Sequence, residues 1–239
     1  MGTLRWCHLG RVGYDAARAL QSRLASARAT GTTGDLLLLL EHPAVLTVGR
    51  HAEMPPAAPL PVLRTDRGGK LTYHGPGQLV GYPVVALRAA GRGVRGFVTA
   101  LETALCDTAA VFGVAAHVRP GLPGIWTASG RKLASIGLAV RRGVTLHGCA
   151  LNVERRAAEG FGDLEPCGLS GVRTTSLVDE GARPDLTPAD VASVLASTLA
   201  RRLALAPERC MPADLEPSPS FAAATPAPDS DCHGHQPAP

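Results

Sequence analysis

The chain has 239 residues, 45% of them apolar, which suits one sizeable domain with a packed core. Its formal charge of +4 is too small to argue for a nucleic-acid partner, and no apolar run approaches the ~18 residues of a membrane span. The opening, MGTLRWCHLG, lacks a basic region followed by an apolar core, and Leu4, Arg5 and Trp6 do not complete a myristoylation pattern after Gly2. A soluble, cytoplasmic protein is therefore expected. Six cysteines, at 7, 106, 149, 167, 210 and 232, form no C-x-x-C pair and read as free thiols rather than a disulfide frame.

Residues 4–12, LRWCHLGRV, read as an opening strand, and residues 14–29 as a helix with Ala17, Leu20 and Leu24 on one face. DLLLLLEHPAVLTVGR reads as a buried strand, a turn at His42-Pro43 and a second strand, followed by a Pro-rich loop over 53–61. Residues 62–87 alternate short β runs with glycine turns. The stretch 96–113 predicts a helix with Val98, Leu101, Leu105 and Cys106 toward the core. Residues 124–153 read as three strands with tight turns at 129–131 and 141–143. A last helix begins at Thr187-Pro188, with Thr as N-cap, Pro at the first helical position and Asp190 in the first turn. Its stripe is Val191, Leu195, Leu199 and Leu203. From about Pro207 the chain is Pro, Ala, Ser, Asp and Gly, so 1–206 is taken as the folded domain and 207–239 as a disordered tail. Hairpin-length turns outnumber crossovers, which points to the α/β class in its α+β form: a mixed, largely antiparallel sheet flanked by helices.

Three motif-like stretches carry no chemistry. GRGVRG at 91–96 has the spacing of a dinucleotide fingerprint, but the following strand offers His117 and Arg119 where an acidic ribose ligand belongs. RGGKL has Leu71 where a phosphate loop needs Ser or Thr. CHGH in the tail (Cys232, His233, His235) has no second ligand pair nearby. No metal is expected.

Two segments are dense in Gly and polar groups for a β context. In RGGKLTYHGPGQ, residues 67–78, the glycines let backbone approach a ligand, with Arg67, Tyr73, His74 and Gln78 alongside; two ordinary hairpin turns would look much the same. In EPCGLSGVRTTSL, residues 165–177, Cys167 stands between Pro166 and Gly168, on a stiff, open turn rather than in a core stripe. Buried Cys is usually a small hydrophobe, which suits Cys7, Cys106 and Cys149; Cys167 alone has surroundings suited to a nucleophile. Such a thiol must ionise, and at its ordinary pKa only about 3% is thiolate at neutral pH. Of 24 basic residues only Lys70 and Lys132 are lysines. An Arg cannot give up its proton, whereas a desolvated Lys can. Lys132, in SGRKLASIG, is therefore the candidate partner of Cys167 in a Cys–Lys dyad; the plain alternative is a solvated Lys at a hairpin turn.

The stretches RGGKLTYHGPGQLVGYP, RKLASIGLAV, LHGCALNV and PCGLSGVRTTSL resemble, in order and spacing, the octanoyltransferases of lipoate biosynthesis, also called lipoyl(octanoyl) transferases. The resemblance covers residues 4–203. It implies the fold shared with biotin and lipoate protein ligases, and transfer of octanoyl from acyl carrier protein to a lysine of lipoyl domains through an acyl-enzyme thioester. The acceptors it implies are lipoyl domains of 2-oxoacid dehydrogenase complexes and the glycine cleavage H protein. It further implies no cofactor beyond the phosphopantetheine that arrives on the carrier, and neither nucleic acid nor membrane as a partner. The family's acyl-thioester Cys falls on Cys167, and its Lys that lowers the thiol pKa on Lys132. Its acyl-binding positions fall on Arg67, Gly68, Gly69, Lys70, Leu71, Thr72, Tyr73 and His74, on Ser135, Ile136 and Gly137, and on Gly148, Cys149 and Ala150. Lys70 stands where many members have Gln, and Cys149 where others are apolar. A monomer is expected. Rival readings are an ATP-dependent lipoate or biotin ligase, an amidotransferase moving octanoyl between lipoyl-domain proteins, and a non-catalytic lipoyl-domain-binding module.

Overall fold

The computed structural model describes residues 2–55, 58–162 and 171–215. In chain order the elements are β1 (Thr3–Arg11), α1 (Tyr14–Thr30), β2 (Asp35–Glu41), β3 (Val45–Val48), β4 (Val62–Arg64), β5 (Leu71–His74) and β6 (Gln78–Val84). There follow α2 (Val94–Val111), β7 (Ala116–Arg119), β8 (Leu122–Thr127), β9 (Lys132–Arg141), β10 (Val144–Asn152), α3 (Arg155–Glu159), α4 (Pro188–Arg202) and β11 (Ala206–Arg209).

Eight strands make one sheet in the order β11-β1-β2-β6-β10-β9-β8-β7, and β4-β3-β5 make a smaller one. In the large sheet β1 runs parallel to β11 and β2, and every other pair is antiparallel. The mixed α/β class expected from the turns is the one observed. β2 is central because it is apolar on both faces. Leu37 and Leu39 enter the core beneath α2 and α4. Leu36, Leu38 and Leu40 enter the core beneath α1. Period-two alternation divides one leucine run between two cores. A third, small cluster of Leu46, Tyr73 and Phe161 packs the small sheet.

The helices start and stop for local reasons. The α4 N-terminus is a capping box in which Thr187 accepts from the Asp190 N–H and the Asp190 carboxylate accepts from the Thr187 N–H. The α1 C-terminus turns through Gly31 at φ 79°. The α2 helix begins two residues before the expected start, and its core stripe is Phe97, Leu101 and Leu105; Val98 and Cys106 are half-buried. The stripe is rotated because α2 lies against α4, where the Thr108 and Thr198 hydroxyls meet at 2.8 Å. GRGVRG is the loop and first turn leading into this helix. Among the described residues no helix is long and apolar enough to cross a membrane. Cys7, Cys106, Cys149 and Cys210 are free thiols.

The boundary drawn at 206/207 falls inside β11 and is corrected. Main-chain pairing of Thr3–Trp6 with Ala206–Arg209 needs no apolar side chains, which is why composition did not reveal it. Beyond it Cys210 and Leu215 are buried against the α1-side core, while CHGH lies outside the described residues. A chain ended at Ala206 should therefore be less stable than one ended at Leu215. About 2–4 kcal/mol is expected from the lost burial, visible in a thermal melt as a difference of roughly 5–15 °C.

Candidate active site

The β9–β10 pairing sets Ser135 opposite Ala150, Ile136 opposite Cys149 and Gly137 opposite Gly148. Two tripeptides far apart in sequence thus form one patch of sheet. The loop before β5 lies on this patch: the Gly68 N–H donates to the Leu138 carbonyl at 2.8 Å. A Cβ on Gly137 would stand 2.9 Å from the Gly68 carbonyl oxygen, and one on Gly148 would collide with the Gly81 carbonyl and the Pro83 ring. Glycine is needed at both positions because backbones meet there. Between the small sheet and this floor is a largely apolar pocket lined by Arg67, Gly69, Thr72, His74, Ser135–Gly137 and Gly148–Ala150, with Tyr14, Tyr82 and His147 completing it. The pocket is partly open, with a cavity volume of about 30 Å³.

Lys132, at the start of β9, is 2% exposed. Its Nζ donates to the Pro123 carbonyl at 3.1 Å and lies 5.0 Å from the centroid of Trp126, a geometry favourable to an ammonium. Trp126 carries the Arg119 guanidinium at 4.8 Å. Gly124 makes room for the lysine, since a Cβ there would come within 3.2 Å of Lys132 Cε and would overlap the Ala134 carbonyl, at a φ of 117° that disfavours any side chain. The Gly124 N–H donates to the buried Glu102 carboxylate. Burial pushes that carboxyl up, opposed by the Gly124 N–H and the positive charge of Lys132.

The segment following Cys167 docks on Lys132. The Lys132 N–H donates to the Arg173 carbonyl at 2.8 Å, and the Thr175 N–H donates to the Lys132 carbonyl at 3.0 Å, a parallel bridge. Cys167 itself lies outside the described residues, which resume at Gly171. A buried hydrogen-bonded chain ties this docking to the pocket. Asn152 Nδ2 donates to the Thr175 carbonyl, Gln78 Nε2 donates to Asn152 Oδ1, and Gln78 Oε1 meets His74 Nδ1 at 2.8 Å. Burial pushes the His74 ring down to about 3, so it is neutral at physiological pH.

A match to the family described as lipoyl protein ligase A/B catalytic domain covers residues 14–200. The chain belongs to that family. Among its relatives, an octanoyltransferase of Geobacter metallireducens is 48% identical over 178 residues, covering 74% of this chain and 83% of the relative. An octanoyltransferase of Geobacter sulfurreducens is 42% identical over 228 residues, covering 94% and 92%. The bipartite lipoate protein ligase of Thermoplasma acidophilum superposes with a TM-score of 0.64 at 16% identity, over 88% of each chain; at that identity the likeness is one of fold.

Within this lipoyl ligase-type domain the expected acyl-binding residues divide. Arg67, Gly69, Thr72, His74 and all six residues of the two tripeptides line the pocket. Lys70 is exposed, and Leu71 packs on the small core. Tyr73 is structural: its ring packs on Phe161 at 5.5 Å and occupies the space that a Cβ on Gly75 or Gly160 would need. Arg67 is also partly structural, since its guanidinium donates to the Thr47 carbonyl and hydroxyl and to the Gly68 carbonyl. Cys149 lines the pocket as a buried hydrophobe, its thiol pushed up to about 12 by burial.

The residue reading missed Tyr14, His42, Tyr82 and His147. The Val12 carbonyl accepts from His42 Nδ1 at 2.6 Å, which leaves Nε2 to accept from the Tyr82 hydroxyl at 2.7 Å. The available signal was a Tyr and a His within otherwise apolar strand sequence, partnered only in three dimensions. His147 is the least expected. It sits in β10 at φ 57°, in the register facing Pro83. Pro83 has no N–H to offer the ladder, and the His147 N–H turns away to donate to Gln21 Oε1 on α1 at 2.8 Å. Its Nε2 donates to Asp66 Oδ1 at 2.8 Å, while its buried Nδ1 has no partner among the described residues. A left-handed non-glycine residue costs of order 1–2 kcal/mol and marks a place where the surroundings dictate the backbone.

Two outcomes are expected. Gly124→Ala should lower the free energy of unfolding by about 2–4 kcal/mol in denaturant titration, because the new Cβ meets backbone on a strained residue. Stability should also fall as pH drops from about 6.5 toward 3. In that window the unfolded His74 ring takes a proton that the folded ring refuses, at up to about 1.4 kcal/mol per pH unit. The decline should be shallower in His74→Gln.

Proposed function

We propose that this chain is an octanoyltransferase. In this reading it takes octanoyl from the phosphopantetheine thioester of acyl carrier protein onto Cys167, and then passes it to the lysine of a lipoyl domain. The observation that carries the reading is the docking of Arg173–Thr175 on the backbone of buried Lys132, beside a largely apolar, glycine-floored pocket that begins at Ser135. The family membership and the octanoyltransferase relatives support the acyl-transfer class.

In the first half-reaction Lys132, in its neutral amine form, takes the proton of the Cys167 thiol, which attacks the acyl carbonyl. The new C–S bond replaces the one to the carrier's pantetheine sulfur, which leaves as a thiolate and takes the proton back. One thioester replaces another, so no nucleotide is consumed. In the second, the lipoyl-domain amine attacks, a C–N bond forms, the C–S bond to Cys167 breaks, and the amine proton returns to the thiol through Lys132. Burial of seven apolar carbons at ~0.8 kcal/mol each contributes about 5 kcal/mol. No cofactor is needed. Acyl carrier protein and the lipoyl domains of 2-oxoacid dehydrogenase complexes and of the glycine cleavage H protein are the proposed partners of a cytoplasmic monomer.

Intact mass spectrometry after mixing with octanoyl-acyl carrier protein, without nucleotide, tests this directly. An octanoyl-sized adduct labile to hydroxylamine is expected on the native chain and none on Cys167→Ser. Lys132→Arg keeps the charge but cannot release a proton, and should slow adduct formation by at least ~10²-fold. Turnover that depends on ATP would sink the reading in favour of a ligase.

A further inference from the structure

A second cavity, of about 260 Å³, is lined by Arg18, Gln21, Ser22, Asp66, Arg141, Leu146 and His147. His147 is common to the linings of both cavities. We infer that His147 is the end wall of the acyl pocket and sets the length of acyl chain accepted; this rests on the acyl-enzyme reading above.

Three observations converge on this wall. The first is rigidity. The ring is held by Asp66 through Nε2, and Asp66 is held in turn by Arg141 Nε and Nη2 at 3.1 and 2.8 Å. The His147 backbone is held by Gln21, itself 2% exposed. The second is distance. Lys132 Nζ reaches the Pro123 carbonyl, next to Gly124, which pairs with Ser135. The reacting end is thus level with Ser135, and three residues further along β9 is Leu138, the partner of His147. Three strand residues span about 10 Å, and an extended eight-carbon chain with bonds of about 1.5 Å spans nearly the same length. The third is chemistry. Beyond the ring the lining turns from apolar to the Asp66, Arg18 and Arg141 charges. A longer chain would have to displace the ring and lay methylenes on charged groups, forfeiting about fourfold in binding for each methylene that stays unburied.

His147→Gly removes the ring and suits a residue at φ 57°, so the two cavities should merge while the strand keeps its path. The test is acyl-enzyme formation followed by intact mass, with octanoyl-, decanoyl- and dodecanoyl-acyl carrier protein in competition. The native chain should favour octanoyl. His147→Gly should raise the dodecanoyl-to-octanoyl ratio at least tenfold, and His147→Asn, which tolerates the same backbone and keeps a polar side chain, should move it less than threefold. Should the Gly variant fail to fold, Asp66→Asn, which weakens the clamp on the ring, should raise the decanoyl-to-octanoyl ratio about threefold. Octanoyl adducts with an unchanged chain-length ranking in these variants would overturn the wall. Absence of any adduct on the native chain would overturn the acyl-enzyme reading, and the wall with it.

Discussion

The site depends on one short piece of main-chain pairing, the parallel bridge by which Arg173 and Thr175 grip the backbone of Lys132. It joins the segment following Cys167 to the first residue of β9, more than thirty positions earlier. The grip holds because what surrounds it is satisfied. Asn152 takes the Thr175 carbonyl, Gln78 takes Asn152, and His74 takes Gln78. A buried polar chain of this kind stabilises one arrangement only while every member keeps its partner. Burial keeps the His74 ring neutral for that role.

The large sheet serves as the floor on which the site is assembled. Its antiparallel β9–β10 register brings two tripeptides together, and glycine at 137 and 148 lets the loop before β5 and the β6 backbone lie directly against them. The lysine's surroundings are arranged as closely. Trp126 supplies an aromatic face, Pro123 a carbonyl, and Gly124 the space in which the chain of methylenes lies. The departure from regular strand geometry at His147 falls opposite Pro83, whose carbonyl accepts from the Thr145 hydroxyl while the His147 N–H goes to Gln21. It turns what would be a ladder position into a side chain clamped between α1 and Asp66.

Much of this was legible in the chain. The leucine run of β2, the turns of the β8–β9–β10 meander and the Thr187 cap each follow from local pattern. Ser135–Gly137 and Gly148–Ala150 were identified through their resemblance to a family, and the structure adds why they belong together. The stripe of α2 and the pairing of β11 beyond Pro207 are not local properties. One depends on how α2 meets α4, the other on backbone pairing that ignores composition.

By itself the sequence singled out candidate side chains for proton and thiol chemistry. Only a lysine can release a proton where this chain almost always writes arginine, and only one cysteine stands between Pro and Gly. It also determined the local elements, because capping, turn chemistry and alternation act over a few residues. Tertiary structure alone decided that Lys132 is buried, that residues 173–175 lie against it, that Tyr73 packs on Phe161, and that His147 lines two cavities. These are properties of groups far apart in the chain, set by strand register and by how the elements pack, and no local pattern carries them.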